Sequence, residues 1–147
     1  MAFVNPSDDE IRALLSRRLS IAVVGCSPNP SRDSHRIARL LIEHGHTVYP
    51  VNPNASGEIL GRRVYADLRH IPDLLDMVDV FRRSEDAGAA VEAAITVGAK
   101  VVWMQLDVID EAAAARAQRA GLTVVMDRCP AIEYQRLSIV PAERAQR

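Results

Sequence analysis

Glycine is missing from the places where a dinucleotide-binding chain needs it. The first apolar run, Ile21 to Val24, ends in Gly25, and the loop behind it reads Gly25-Cys26-Ser27-Pro28-Asn29-Pro30. The G-x-G-x-x-G fingerprint would put glycine at the positions of Ser27 and Pro30, so only its first member is present. The G-x-x-x-x-G-K-[ST] phosphate loop is absent as well, which argues against an ATPase of that type. Cysteine is equally scarce: Cys26 and Cys129 stand alone, far from metal-ligand spacing, which suits a reduced, intracellular chain rather than a disulfide scaffold. A formal net charge of −1 speaks against broad nucleic-acid binding, which needs a basic face, so any anion site has to be local. No apolar run reaches the length of a membrane span, and the start, MAFVNPSDDE, is acidic where a signal peptide is basic. Cytoplasmic location, without membrane or nucleic-acid partners, is the expectation.

What is present is an alternation of short apolar runs and helical periods. With 147 residues, one domain is expected, with a core from about 20 to 137. Ser7 and Glu10 form a capping-box pattern ahead of Ile11, Leu14 and Leu15, predicting a helix over about 8–18. Strands are expected at Ile21 to Val24, Thr47 to Val51, Arg62 to Tyr65, Met77 to Phe81, Lys100 to Gln105 and Leu122 to Asp127. Helices are expected from Ser34 to His44, from Pro72, from a cap at Ser84 to Gly98, from Asp110 to Gly121, and from Ala131 to Leu137. Gly45, Gly98 and Gly121 each sit just past a helix and shortly before a strand, the C-cap chemistry of tight helix-to-strand loops. The tail SIVPAERAQR carries no usable pattern. The pattern predicts an α/β, three-layer Rossmann-like fold. Its doubly wound parallel sheet has five or six strands, with helices on both faces.

In such a sheet the ligand lies beyond the C-terminal strand ends. Strand, glycine, polar loop and helix start is an anion-binding turn, in which the first helix amides face a phosphate. Ser27, Arg32, Ser34, His35 and Arg36 surround that turn, and Arg82-Arg83 ends a later strand. Of these, Arg32 and Arg82 are the stronger candidates for phosphate contact; Arg36 and Arg83 serve equally well as solvated rim charges. NAD usually finds an acid at the end of the second strand, and this chain has Asn52 there.

Several blocks resemble the small stand-alone CoA-binding proteins related to the CoA-binding domain of succinyl-CoA synthetase α subunits. They are Gly25-x-Ser27, Pro30-x-Arg32-x-Ser34, Tyr49-Pro50-Val51-Asn52-Pro53, Val80-Phe81-Arg82, Gly98-Ala99-Lys100, Val102-Trp103-x-Gln105 and Val125-Met126-Asp127-Arg128-Cys129. The resemblance runs from about Ser20 to Leu137. It implies a Rossmann-like domain that holds coenzyme A or an acyl-CoA. The ligand residues it implies are Gly25, Cys26, Ser27, Arg32 and Ser34, then Val51, Asn52 and Pro53, then Phe81 and Arg82. Asp107 departs from the family, which often has glycine there, and a carboxylate beside a phosphate would repel it. Nothing corresponds to the synthetase's separate domain with a phosphorylated histidine.

The resulting expectation is a CoA-binding protein, monomeric or homodimeric, with no catalytic residues and no metal site. The alternatives are an NAD(P)-binding oxidoreductase and a CoA-ligase-like subunit completed by a partner. Cys26 reads either as a small buried residue or as a thiol able to exchange with the CoA sulfur, and Cys129 reads as packing. His44, His46 and His70 read as surface or capping residues, and Trp103 as core. Asp127, Arg128 and Glu133 read as an ion-pair network fixing the last helix. Gly25 is expected to serve the turn and the approach of a phosphate, with a folded chain surviving its replacement.

Overall fold

The computed structural model describes residues 3–141. In chain order the elements are α1 (Asp8–Leu15), β1 (Ser20–Val24), α2 (Asp33–Glu43), β2 (Thr47–Val51), β3 (Glu58–Ile59), β4 (Arg62–Arg63), a 3-10 turn (Leu68–His70), β5 (Met77–Val80), α3 (Ser84–Thr96), β6 (Val101–Met104), α4 (Glu111–Arg119), β7 (Thr123–Val125) and α5 (Pro130–Arg136). Five strands form one parallel sheet in the order β2-β1-β5-β6-β7. This is a three-layer Rossmann-like α/β fold. The strands of this sheet are largely apolar because both of its faces are covered. Ile21 and Val23 of β1 point with Met77, Trp103 and Val125 toward Ile11 and Leu15 of α1, Ile37 and Leu41 of α2, and Tyr134 of α5. The intervening Ala22 and Val24 join Val78, Val80, Val102 and Met104 against α3 and α4, whose inward positions are largely alanine. Small side chains let those two helices lie close to the sheet and to each other.

The helix starts follow local chemistry, with one reassignment. The Ser7–Glu10 capping box forms in both directions, and the Asp110 side chain accepts the Ala113 amide at the head of α4. The cap of α3 is Arg83, not Ser84. The Ser84 hydroxyl works between loops instead, donating to the Asp107 carbonyl (3.2 Å) and accepting from the Ile109 amide (3.0 Å).

Two expected elements differ. The segment expected to be a strand from Arg62 to Tyr65 does not enter the parallel sheet. It contributes β4 to a separate antiparallel hairpin with β3, and Tyr65 forms one isolated bridge to Val51. The hairpin turns through Leu60 and Gly61 at φ 55° and 75°, the left-handed pair that reverses a strand in two residues. No helix begins at Pro72. Leu68, Ile71 and Leu75 from the 3-10 turn and the irregular chain behind it fill the sheet face that such a helix would have covered. Of the tail, 138–141 is irregular, and 142–147 lies outside the described residues.

Candidate ligand-binding site

The chain leaves β1 toward β2 on one side and returns to β5 on the other, so the loops after β1 and β5 part from each other. That is the switch point at which open α/β sheets bind ligands. A cleft of about 1070 Å³ opens there, walled by the loops following β1, β2, β5 and β6 and by Cys129 beyond β7. Gly25, Ser27, Arg32, Ser34, Asn52, Phe81 and Arg82 all face it. Cys26, Val51 and Pro53 do not line it.

The β1 loop is built as a rigid rim. The Ser27 amide donates to the Ser34 hydroxyl (2.9 Å), and the Ser27 hydroxyl accepts the Asn29 amide (3.0 Å). Asn29 Oδ1 in turn accepts from the Ser31 amide and hydroxyl, at 3.0 and 2.9 Å. His35, buried at the start of α2, donates from Nδ1 to the Ser27 carbonyl (3.0 Å). Asn52 ties this rim to the second loop: its Nδ2 donates to the Cys26 carbonyl (2.8 Å) and its Oδ1 accepts the Asn54 amide (2.8 Å). The asparagine at the position where NAD sites carry an acid is thus committed to holding two loops together.

Charge is distributed unevenly around the rim. Arg36 pairs with Asp33 and donates to the Ser31 carbonyl, while Arg83 pairs with Glu85 (3.2 Å) and Asp86 (3.1 Å). Both neutralise the first turns of their own helices. Arg32 and Arg82 make no ion pair or side-chain hydrogen bond among the described residues, and both line the cleft. Arg32 is the N-cap of α2, which has no side-chain cap, so the first amides of that helix keep their donors toward the cleft mouth.

Gly25 answers to the fold before it answers to any ligand. Its φ is +87°, its amide donates to the Val51 carbonyl (2.8 Å), and a Cβ on it would stand 2.1 Å from the Phe81 carbonyl oxygen. The close approach is between β1 and β5 chains. A folded protein carrying valine there is therefore not the expected outcome. Asp107, which does line the cleft, sits at φ 69°, with its amide donating to Asp127 Oδ1 (2.7 Å). A left-handed backbone of this kind is one that glycine adopts without strain.

Cys26 takes the buried one of its two readings, whereas Cys129, read as packing, reaches the cleft. Cys26 is fully buried, and burial, with the nearby Asp79 carboxyl adding to it, pushes its thiol up to about 11. Cys129 is half-buried and opens on the cleft. His46 is buried rather than superficial. Its Nδ1 accepts the Leu19 amide (3.0 Å), so the neutral ring carries its proton on Nε2 and donates it to the Tyr134 hydroxyl (2.7 Å). His44 occupies the C-cap of α2 and stacks on Tyr134 with ring centres 3.7 Å apart. Trp103 is wholly buried, its Nε1 donating to the Arg128 carbonyl (2.9 Å). The expected Asp127–Arg128–Glu133 network is not one unit: Glu133 pairs with Arg136, which bridges to Asp8 of α1, while Asp127 braces Asp107.

Two residues at the site were not among the expected ligand contacts: Asp79, which no motif included, and Gln105, which stood in a family block and at a cleft-side strand end without an assigned role. Asp79 interrupts the apolar β5 and is fully buried, with burial raising its carboxyl to about 7 against the lowering effect of Gln105. Gln105, at the end of β6, lines the cleft and donates from Nε2 to Asp79 Oδ1. A single acid inside MVDVF was the available signal. Among the described residues, no cluster of metal-ligating side chains occurs, and no helix is long and apolar enough to cross a membrane.

The class follows from this geometry together with the match of residues 19–135 to a family model described as a CoA binding domain. The chain belongs to that CoA-binding domain family. It is 38% identical over 125 residues to the uncharacterised protein YneT of Bacillus subtilis (strain 168), covering 85% of this chain and 92% of that one. A hypothetical protein from Pyrococcus horikoshii OT3 is 42% identical and superimposes with a TM-score of 0.86, over 94% of this chain and 99% of its own. A dinucleotide-forming acetyl-coenzyme A synthetase 1 of Ca. Korarchaeum cryptofilum matches at 26% identity and a TM-score of 0.67, over 77% of this chain and 27% of the enzyme.

Proposed function

We propose that the protein binds coenzyme A or an acyl-CoA in the switch-point cleft and has no catalytic activity of its own. The observation that carries this reading is the pair of unpaired arginines, Arg32 and Arg82, facing one cleft beside the uncapped start of α2. Guanidinium groups and free helix amides are complementary to phosphate oxygens. Ser27 and Ser34 shape the loop that presents them. Membership of the CoA-binding family selects among phosphate-bearing ligands, and the commitment of Asn52 to loop bracing removes the ribose acceptor that NAD sites use. Among the described residues no nucleophile in the cleft stands beside a base: Cys26 lies behind the cleft, buried with a raised pKa, and the cleft thiol, Cys129, makes no side-chain hydrogen bond to a base. A second reading, a ligase-like subunit completed by a partner, draws on the likeness to a quarter of an acetyl-CoA synthetase. Isothermal titration with CoA, acetyl-CoA, NAD and ADP separates the possibilities. Heat with CoA or acetyl-CoA and little with NAD is expected; tight NAD binding without CoA binding contradicts the proposal. Ligase activity on adding a nucleotide-binding partner subunit would favour the second reading.

A further inference from the structure

Gln105 is 4% exposed, yet it lines the cleft at the end of β6. Its amide nitrogen is spoken for, because Asp79 offers the acceptor Oδ1 from the floor of the central strand. An ionised carboxylate only accepts, and a protonated one still accepts at its carbonyl oxygen, so Asp79 Oδ1 takes the donor end of the amide. The amide is thereby turned one way, and Oε1 is left without a partner among the described residues. Asp79 Oδ2 is also unpartnered, so no second contact competes for the orientation.

The free end of this pair is an acceptor backed by a carboxyl, which disfavours phosphate and favours an N–H donor. It also lies away from the anion loop. β6 is separated from β1 by β5 alone, which places the Gln105 end roughly 10 Å across the sheet from the β1 end. A ligand with its phosphates on the β1 and β5 loops therefore brings a different part of itself to Gln105. In CoA the part adjoining the pyrophosphate is the neutral pantetheine arm, which carries secondary amides.

We propose that Gln105 accepts a hydrogen bond from an amide N–H of the pantetheine arm, with Asp79 as the positioning residue that holds the acceptor toward the ligand. The proposal rests on the reading of the cleft as a CoA site. It makes Gln105 a determinant of selectivity for the arm, as distinct from the phosphate contacts of Arg32 and Arg82.

The test compares CoA with adenosine 3′-phosphate 5′-diphosphate, which keeps the phosphates and lacks the arm. Titrations use wild type, Gln105→Met and Asp79→Asn. The double variant Asp79→Leu with Gln105→Met is added because it removes buried acceptor and donor together and leaves neither orphaned. Wild type should bind CoA more tightly than the armless nucleotide. Gln105→Met and the double variant should each lose about tenfold for CoA, the scale of one hydrogen bond, and stay within about twofold for the armless nucleotide. Asp79→Asn should show a smaller loss, again confined to CoA, since its amide no longer dictates which end of Gln105 faces outward. Equal losses on both ligands, or none on CoA, overturn the role of Gln105; an unchanged Asp79→Asn overturns that of Asp79. Wild type that binds the armless nucleotide as well as CoA also overturns the proposal. Wild type that binds neither defeats the CoA reading itself.

Discussion

A Cβ placed on Gly25 would stand 2.1 Å from the carbonyl oxygen of Phe81, so the end of β1 and the end of β5 meet at a point where only glycine fits. The cleft exists because these two chain ends close together before their loops diverge. The first prediction follows directly. Gly25→Ala combines a backbone clash with a left-handed φ and should cost about 2–4 kcal/mol of stability. Urea unfolding in the absence of ligand checks this. An unchanged midpoint would show that the two strand ends do not approach as described.

Arg32→Ala and Arg82→Ala should each weaken CoA binding by about 1–3 kcal/mol, the range for a hydrogen bond to a charged group, with a larger loss at low salt. Arg36→Ala should cost less, because that guanidinium already serves Asp33 and the Ser31 carbonyl. Arg17→Ala, beside a separate groove under α1, should leave affinity unchanged. Calorimetry at two salt concentrations reads all four. Equal losses at Arg17 and Arg32 would place the ligand elsewhere.

Asp107→Gly should tighten CoA binding while leaving stability within about 0.5 kcal/mol. The carboxylate leaves the cleft, the left-handed φ of 69° is kept at no steric cost, and the amide bond to Asp127 survives. The relaxed backbone is offset by the greater freedom of glycine in the unfolded chain. Titration and melting of the same sample test both halves. Weaker binding would mean that the carboxylate contacts the ligand favourably.

Two buried groups oppose each other in the acid stability profile. Burial pushes His46 from its ordinary 6.5 down to about 4, so the unfolded chain takes up a proton that the folded chain refuses, and stability falls as pH drops through that window. Burial pushes Asp79 from 3.8 up to about 7, so the folded chain keeps a proton that the unfolded chain releases, and stability falls as pH rises from about 4 to 7. Asp79→Asn removes the second effect alone. The variant should match wild type near pH 4, gain stability steadily toward pH 6.5, and exceed wild type at pH 8 by on the order of 2–4 kcal/mol. Chemical denaturation across pH 4–8 measures it; parallel curves would mean that Asp79 is ionised in the folded protein throughout.

The layers of this fold were legible in local pattern because burial on both faces leaves Ile21 to Val24 of β1 and the whole of β6 as unbroken apolar runs, with β5 broken only by Asp79. The β3–β4 hairpin was not, since two-residue strands and a Leu60-Gly61 turn leave no period to detect. Pro72 misled for a related reason: proline at a helix start is a local signal, and whether a helix follows depends on the sheet face that Leu68, Ile71 and Leu75 already fill. At the site, the cleft-facing loop residues could be placed from the glycine, the strand ends and the family blocks. The settings of Cys129, of His46 and of Asp79 could not, because each depends on which side of the sheet the neighbouring helices close. His46 follows Gly45 in a helix-ending turn and looks exposed until α5 brings Tyr134 onto it.

Amide hydrogen exchange with and without CoA tests the central claim most directly, because it reads where the ligand sits as well as whether it binds. The amides from Ser27 through His35 and those of Phe81 to Arg83 should gain protection together on adding CoA, with the groove between α1 and β7 unaffected. Protection confined to residues outside the switch-point cleft, or none at saturating CoA, would contradict it.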